Sequence, residues 1–91
     1  MAKHKKVFLK FFDIWEGEYF QCQIPGCDNP AVDVHHILPK GRQGKDNIEN
    51  LIGLCRDCHN IAHGQKKGVK RFELEYLFKL QKHAIDEVTR N

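Results

Sequence analysis

The run DVHHILPKG, residues 33 to 41, sets two histidines side by side in a segment that otherwise reads as a short strand. Consecutive strand side chains point to opposite faces, so His35 and His36 are expected to do different jobs. In CHNIAH, His59 and His63 stand at i and i+4. That spacing stacks them on one helix face as a ready pair of imidazole ligands for a divalent metal. Cys22 and Cys27 flank a Pro25-Gly26 turn, and Cys55 and Cys58 are spaced C-x-x-C. Two such pairs form the pattern of a closed, four-coordinate structural zinc site; free thiols or disulfides are the alternative use. His59 follows Cys58 directly, and one helical residue is about 100° of rotation. It should therefore look into a pocket other than that of the sulfurs.

These side chains need elements to hold them. Val7 to Trp15 is strongly apolar, with Phe8, Phe11, Phe12 and Trp15 at helical spacing and Gly17 as a stop. A short docked helix is expected there. Residues 21 to 31 are turn-rich. Val32 to Leu38 reads as a strand ended by Pro39 and Gly41; a polar loop follows, and Ile48 to Leu54 reads as a second short extended segment. From Asp57 one or two helical turns are expected, with Gly64 as the C-terminal signal. Lys70 to Val88 reads as a long amphipathic helix. Its expected stripe is Phe72, Tyr76, Leu80 and Ala84, with Leu77 and Val88 beside it, packed against the N-terminal helix. The reading is one α+β domain over residues 1–91.

At 91 residues the chain is small. A domain of this size buries only about 60–65% of its unfolded surface, so its core alone is marginal and a staple is expected. The basic start, Met1 to Lys6, is followed by no signal-like apolar region, and no apolar run approaches a membrane span. An intracellular, cytoplasmic setting follows as the expectation, and it favours metal binding over disulfides as the use of the cysteines. Lys and Arg number 15 against 12 Asp and Glu, a net +3. Distribution says more. Lys3, Lys5, Lys6 and Lys10 form one cluster, Lys40, Arg42 and Lys45 a second, and Lys66, Lys67, Lys70 and Arg71 a third. Such clusters suit phosphate backbones, though lysines also simply keep small domains soluble. His4 and His83 read as surface residues.

DVHHILP (33–39), a polar loop, Asn50 in IENL and LCRDCHNIAH (54–63) together resemble the HNH endonucleases. The resemblance covers roughly residues 22 to 63 and implies a ββα-metal core, flanked here by helices near 7–15 and 70–88. The three letters map onto His36 (or the His35-His36 pair), Asn50 and His59. The subgroup most resembled carries two zinc-binding cysteine pairs around this core, here Cys22/Cys27 and Cys55/Cys58. The intervals from Asn50 to His59 and from His59 to His63 are those of the colicin nuclease domains. By the same resemblance His35 is a metal ligand and His36 the general base. His59 is the second ligand, and His63 a third ligand or an orienting neighbour. Asn50 bridges loop backbone and so aims the base. Many members carry Gly-Gly after the proline; this chain has Gly41-Arg42-Gln43-Gly44, and Lys40 and Arg42 are the candidate phosphate contacts.

What the resemblance implies is DNA phosphodiester hydrolysis with a structural Zn²⁺ and a catalytic divalent ion. Imidazole sites take several metals, so Mg²⁺, Mn²⁺, Ni²⁺ and Zn²⁺ all stay open. RNA stays open as a substrate, as does the choice between nicking and double-strand cleavage. A homodimer and a subunit of a larger DNA-processing complex, such as a phage packaging machine, are both compatible; a membrane is not expected. Two other functions compete: a zinc-stabilised nucleic-acid-binding module without catalysis, and a zinc adaptor for protein partners. The first must explain why every catalytic position is filled, the second why four histidines cluster.

Overall fold

The computed structural model describes residues 2–90. Helix α1 is Lys3–Phe11, strand β1 is Asp33–His36, β2 is Leu51–Leu54, α2 is Arg56–Ala62 and α3 is Leu74–Thr89, with short 3-10 turns at Lys40–Arg42 and Ile48–Asn50. The strands pair antiparallel, Asp33 opposite Leu54 and His36 opposite Leu51. With α2 following β2, this is the small ββα arrangement that the resemblance implied. Among the described residues no helix is long and apolar enough to cross a membrane.

The hairpin is the middle layer, and its period-2 alternation sorts the molecule into two sides. Val34 and Leu51 face α1, where they meet Phe8 and Leu9, with Phe12 and Phe20 around them. Gly53 lies opposite Val34, and a Cβ there would come within 2.9 Å of the Phe20 ring and 3.0 Å of Phe8. Only glycine lets the aromatic layer approach the strand so closely. On the other side Ile52 and Leu54 join Ile37, Ala62, Leu77 and three of the cysteines. The core is thus two small clusters divided by a two-stranded sheet, and the sulfurs belong to one of them.

Several expected boundaries move. The N-terminal helix runs Lys3–Phe11 rather than 7–15, because Asp13 turns left-handed (φ 56°) and Ile14 N–H closes back on Leu9 O. Its lysines extend it backwards, and Trp15 ends 77% exposed outside it. The expected strand over 32–38 pairs only over Asp33–His36, and the segment 48–54 divides into a 3-10 turn and β2. The C-terminal helix starts at Leu74, not Lys70. Arg71 instead lies before the helix, its guanidinium donating to Ala62 O at the end of α2. The buried stripe of α3 is also rotated: Leu77 and Gln81 are its buried residues, and Tyr76 is exposed. The helix packs on the Ile48–Asn50 turn and β2 rather than chiefly on α1.

Gln81, fully buried, explains the rotation. Its side-chain amide donates to Ile48 O at 3.1 Å and accepts from Gln23 Nε2 at 2.8 Å, while Gln23 Oε1 accepts from Gly53 N. One amide pair thereby ties α3, the cysteine-bearing turn and β2 together. Buried amides hold such positions only when fully bonded. We expect Gln81→Ala to cost about 2–4 kcal/mol, from lost bonds plus a cavity. Denaturant unfolding reads this directly, and a loss below 1 kcal/mol contradicts the role.

Candidate active site

Cys55 caps α2, its sulfur accepting from Cys58 N at 3.4 Å. Two Zn–S bonds of about 2.3 Å at the tetrahedral angle place sulfurs about 3.8 Å apart. Cys27 Sγ lies 3.8 Å from Cys55 Sγ and 3.9 Å from Cys58 Sγ, and Cys22 completes the group. The donor set fits zinc. Burial pushes the Cys22 and Cys58 thiols up, as it does Cys55; at Cys55 the Cys58 N–H and neighbouring thiols outweigh it and hold the group low. A cation at the centre would remove that conflict by replacing the protons.

The α2 face turned away from the sulfurs carries the imidazoles. His59 Nε2 and His63 Nε2 lie 3.0 Å apart, and the His35 ring stands edge-on to both, with centroids at 5.0 Å and 4.9 Å. Ligating atoms of all three lie within 4.8 Å of one another. Asp33 Oδ2 accepts from His59 Nδ1 at 2.8 Å, which leaves the lone pair of His59 on Nε2, toward its neighbours. A carboxylate behind an imidazole is the usual partner of a metal-ligating histidine. Burial, and then His59 and His63, push His35 down to about 4. Burial, and then His59, also lower His63. Neutral rings keep their lone pairs for a cation, and the three nitrogens fit one.

His36 lies on the opposite face of β1, and its Nε2 is 2.7 Å from Asp46 Oδ1. The hydrogen bond from His36 holds the Asp46 carboxyl below the usual range; partial burial opposes this, and Lys40, 3.2 Å from Oδ2, reinforces it. An ionised carboxylate can only accept, so Nε2 carries the proton and Nδ1 is the basic nitrogen. His4, on α1, stacks on the same ring with centroids 4.4 Å apart. Burial, and then His36, lower its pKa. One open cleft is lined by His4, His35, His36, Lys40, His59 and His63. Arg42, on the Lys40–Arg42 turn, is exposed.

Asn50 holds the connection between the strands. Its Oδ1 accepts from Leu38 N at 2.8 Å, and its Nδ2 donates to Leu38 O and Lys45 O, both at 3.0 Å. Both ends of the intervening loop are therefore fastened to one buried side chain. Gly44 tightens the same loop: a Cβ there would sit 1.7 Å from Leu38 O. Of the glycines after the proline it is this one that the fold requires, whereas Gly41 has open space around it.

Three residues of this region escaped the sequence reading. Asp33 sits two before His35, and strand alternation alone puts it on the α2 face. Asp46 offered no signal beyond being an acid in a polar loop. His4, expected on the surface, is half-buried against His36, a contact between distant segments that no spacing encodes. His83 is at the surface as expected, 2.9 Å from Glu87.

Residues 21–65 match the family model described as HNH endonuclease. Over this stretch, just under half of the chain, the sequence is that of an HNH endonuclease domain. The HNH match takes in both cysteine pairs, His35, His36, Asn50, His59 and His63, and leaves α1 and α3 outside. Among curated proteins the chain is 36% identical over 49 residues to the Type IV methyl-directed restriction enzyme EcoKMcrA of Escherichia coli (strain K12), covering 54% of this chain and 18% of that protein. It is 33% identical over 46 residues to Anaredoxin of Nostoc sp. (strain PCC 7120 / SAG 25.82 / UTEX 2576), covering 50% of this chain and 60% of that protein. The chain thus spans less than two thirds of the length of either relative. No solved structure matches the chain significantly. The family and the restriction-enzyme relative support a nuclease-type function.

Two predictions follow from the geometry. Cys55→Ser should abolish cooperative thermal unfolding, because zinc in small sites contributes about 10–16 kcal/mol of apparent folding free energy; persistence of a parent-like transition contradicts a structural ion. His35, lowered in the folded state from 6.5 to about 4, takes its proton in the unfolded chain first. Its contribution to stability is therefore full above pH 6.5 and lost as pH falls from there toward about 4. The difference between parent and His35→Gln stability, followed with pH, should fall over that window; a flat difference contradicts the buried neutral ring.

Proposed function

We propose that the chain is a metal-dependent endonuclease that hydrolyses DNA phosphodiester bonds. One observation carries the reading: a single cleft presents a three-imidazole cluster from one face of the hairpin and a carboxylate-held imidazole from the other. Three imidazole nitrogens suit an ion, and the fourth, backed by Asp46, suits a base. The restriction enzyme among the relatives makes DNA the favoured substrate, as does Lys40 at the cleft.

His35, His59 and His63 would hold the catalytic ion, with Asp33 fixing the His59 tautomer. That ion, when bound, supplies Lewis acidity for the charge that grows on the phosphate and the departing 3′ oxygen. His36 Nδ1 takes a proton from water, and Asp46 stabilises the imidazolium that forms, the logic of a carboxylate-oriented histidine. The water oxygen bonds to phosphorus in line, the bond from phosphorus to O3′ breaks, and the departing O3′ takes a proton from solvent water while His36 returns its own to solvent. The products carry 5′-phosphate and 3′-hydroxyl ends. Lys40 and Arg42 contact flanking phosphates, so binding weakens steeply with salt. Asn50 touches no substrate; it fixes the strand end that aims His36. The zinc-bound sulfurs do no chemistry and set the start of α2, hence the place of His59. The catalytic unit is the stretch over residues 22–63, acting with its flanking helices as one domain. A second copy, or a larger complex, would supply the second site that double-strand cleavage needs.

The test is supercoiled plasmid incubated with protein and Mg²⁺, Mn²⁺ or Ni²⁺, with and without EDTA. We expect metal-dependent nicking, lowered about 10²–10⁴-fold by His36→Ala with zinc content and unfolding unchanged. Parent-like cutting by that variant overturns the base assignment. DNA binding without cleavage in every metal supports the non-catalytic module instead.

A further inference from the structure

His4 is the residue that the nuclease reading leaves unused. It comes from α1, outside the stretch that matches the family, yet it packs on the ring that the reading makes the base. With His36 and Asp46 it forms a third cluster whose ligating atoms all lie within 4.8 Å of one another. Two imidazoles and one carboxylate make up the donor set of many three-ligand zinc sites. A tetrahedral ion with bonds of about 2.0–2.1 Å needs ligand atoms about 3.3 Å apart, which small side-chain rotations supply. Asp46 Oδ1 already faces His36, whereas Oδ2 is turned to Lys40. The Lys40 ammonium opposes a cation there, but its side chain is 62% exposed and its charge is screened by solvent.

We infer that His4, His36 and Asp46 form a further site for a borderline-soft divalent ion such as Zn²⁺, and that filling it switches the nuclease off. The inference rests on His36 being the base. Binding through Nε2 requires that nitrogen to give up its proton, which passes through solvent to Nδ1. No lone pair is then left to accept a proton from water. Nicking supported by another divalent ion would therefore be inhibited by added zinc, through a site different from those of the structural and catalytic ions.

The experiment uses the full chain carrying its thiolate-bound zinc, and compares the parent with His4→Gln. Equilibrium dialysis against Zn²⁺ should give three ions per parent chain and two per His4→Gln chain. In plasmid nicking supported by whichever of Mg²⁺, Mn²⁺ or Ni²⁺ serves, added Zn²⁺ should inhibit the parent at concentrations at least about 10–100-fold below those that inhibit His4→Gln, the scale on which loss of a metal's supporting group weakens affinity. Equal stoichiometry in the two chains, or equal zinc sensitivity, overturns the site. His4→Phe, which keeps an aromatic ring against His36, separates lost ligation from lost packing and should behave as His4→Gln. Parent protein that fails to nick in every metal refutes the nuclease reading instead, and the dialysis result then still decides whether the third ion binds.

Discussion

Everything in this small domain depends on where α2 begins. The helix has seven residues, too few to hold its own shape in water. Its first turn is gripped by the sulfur cluster, with Cys55 at the cap and Cys58 one turn in. Fixing that end fixes the direction of the next residue, His59, and of His63 a turn later. Asp33 then receives His59 from the neighbouring strand, so the helix and the hairpin are locked together at both chemical levels. The sulfur cluster thus sets the geometry of the imidazole cluster on the other face of the helix.

The hairpin supplies the second half of the arrangement. Two adjacent residues of a strand cannot share a surroundings, and β1 turns this rule into a division of labour. Asp33 and His35 meet α2, while Val34 and His36 meet α1. Asn50 and Gly44 then close the loop so tightly that the strand end has no freedom to twist. The cleft between the two faces presents both imidazole sets at once. The strained economy of the design shows in Gly53, which gives up a side chain so that Phe8 and Phe20 can cover the sheet.

Much of this was legible in the chain. The cysteine pairs and the i, i+4 histidines carry their geometry in their spacing, and the HH dipeptide carries its own through strand alternation. What was not legible depended on tertiary partners. The apolar run from Val7 predicted a helix over 7–15, yet Asp13 in the left-handed region ended it early and left Trp15 outside. The α3 stripe was placed on Phe72, Tyr76, Leu80 and Ala84 by hydrophobicity alone, whereas a buried glutamine, bonded to two other segments and through Gln23 to β2, set the rotation. His4 and Asp46 approach His36 from different directions, and no local pattern foretells such a meeting.

The central claim is that sulfur and nitrogen donors hold two separate ions on opposite faces of one short helix. Crystals grown with zinc, with anomalous diffraction recorded at the zinc edge, test it most directly. The account predicts one density peak enclosed by Cys22, Cys27, Cys55 and Cys58, and another bound by His35, His59 and His63. A sulfur-bound peak alone, with the three rings swung apart and nothing between them, would contradict it.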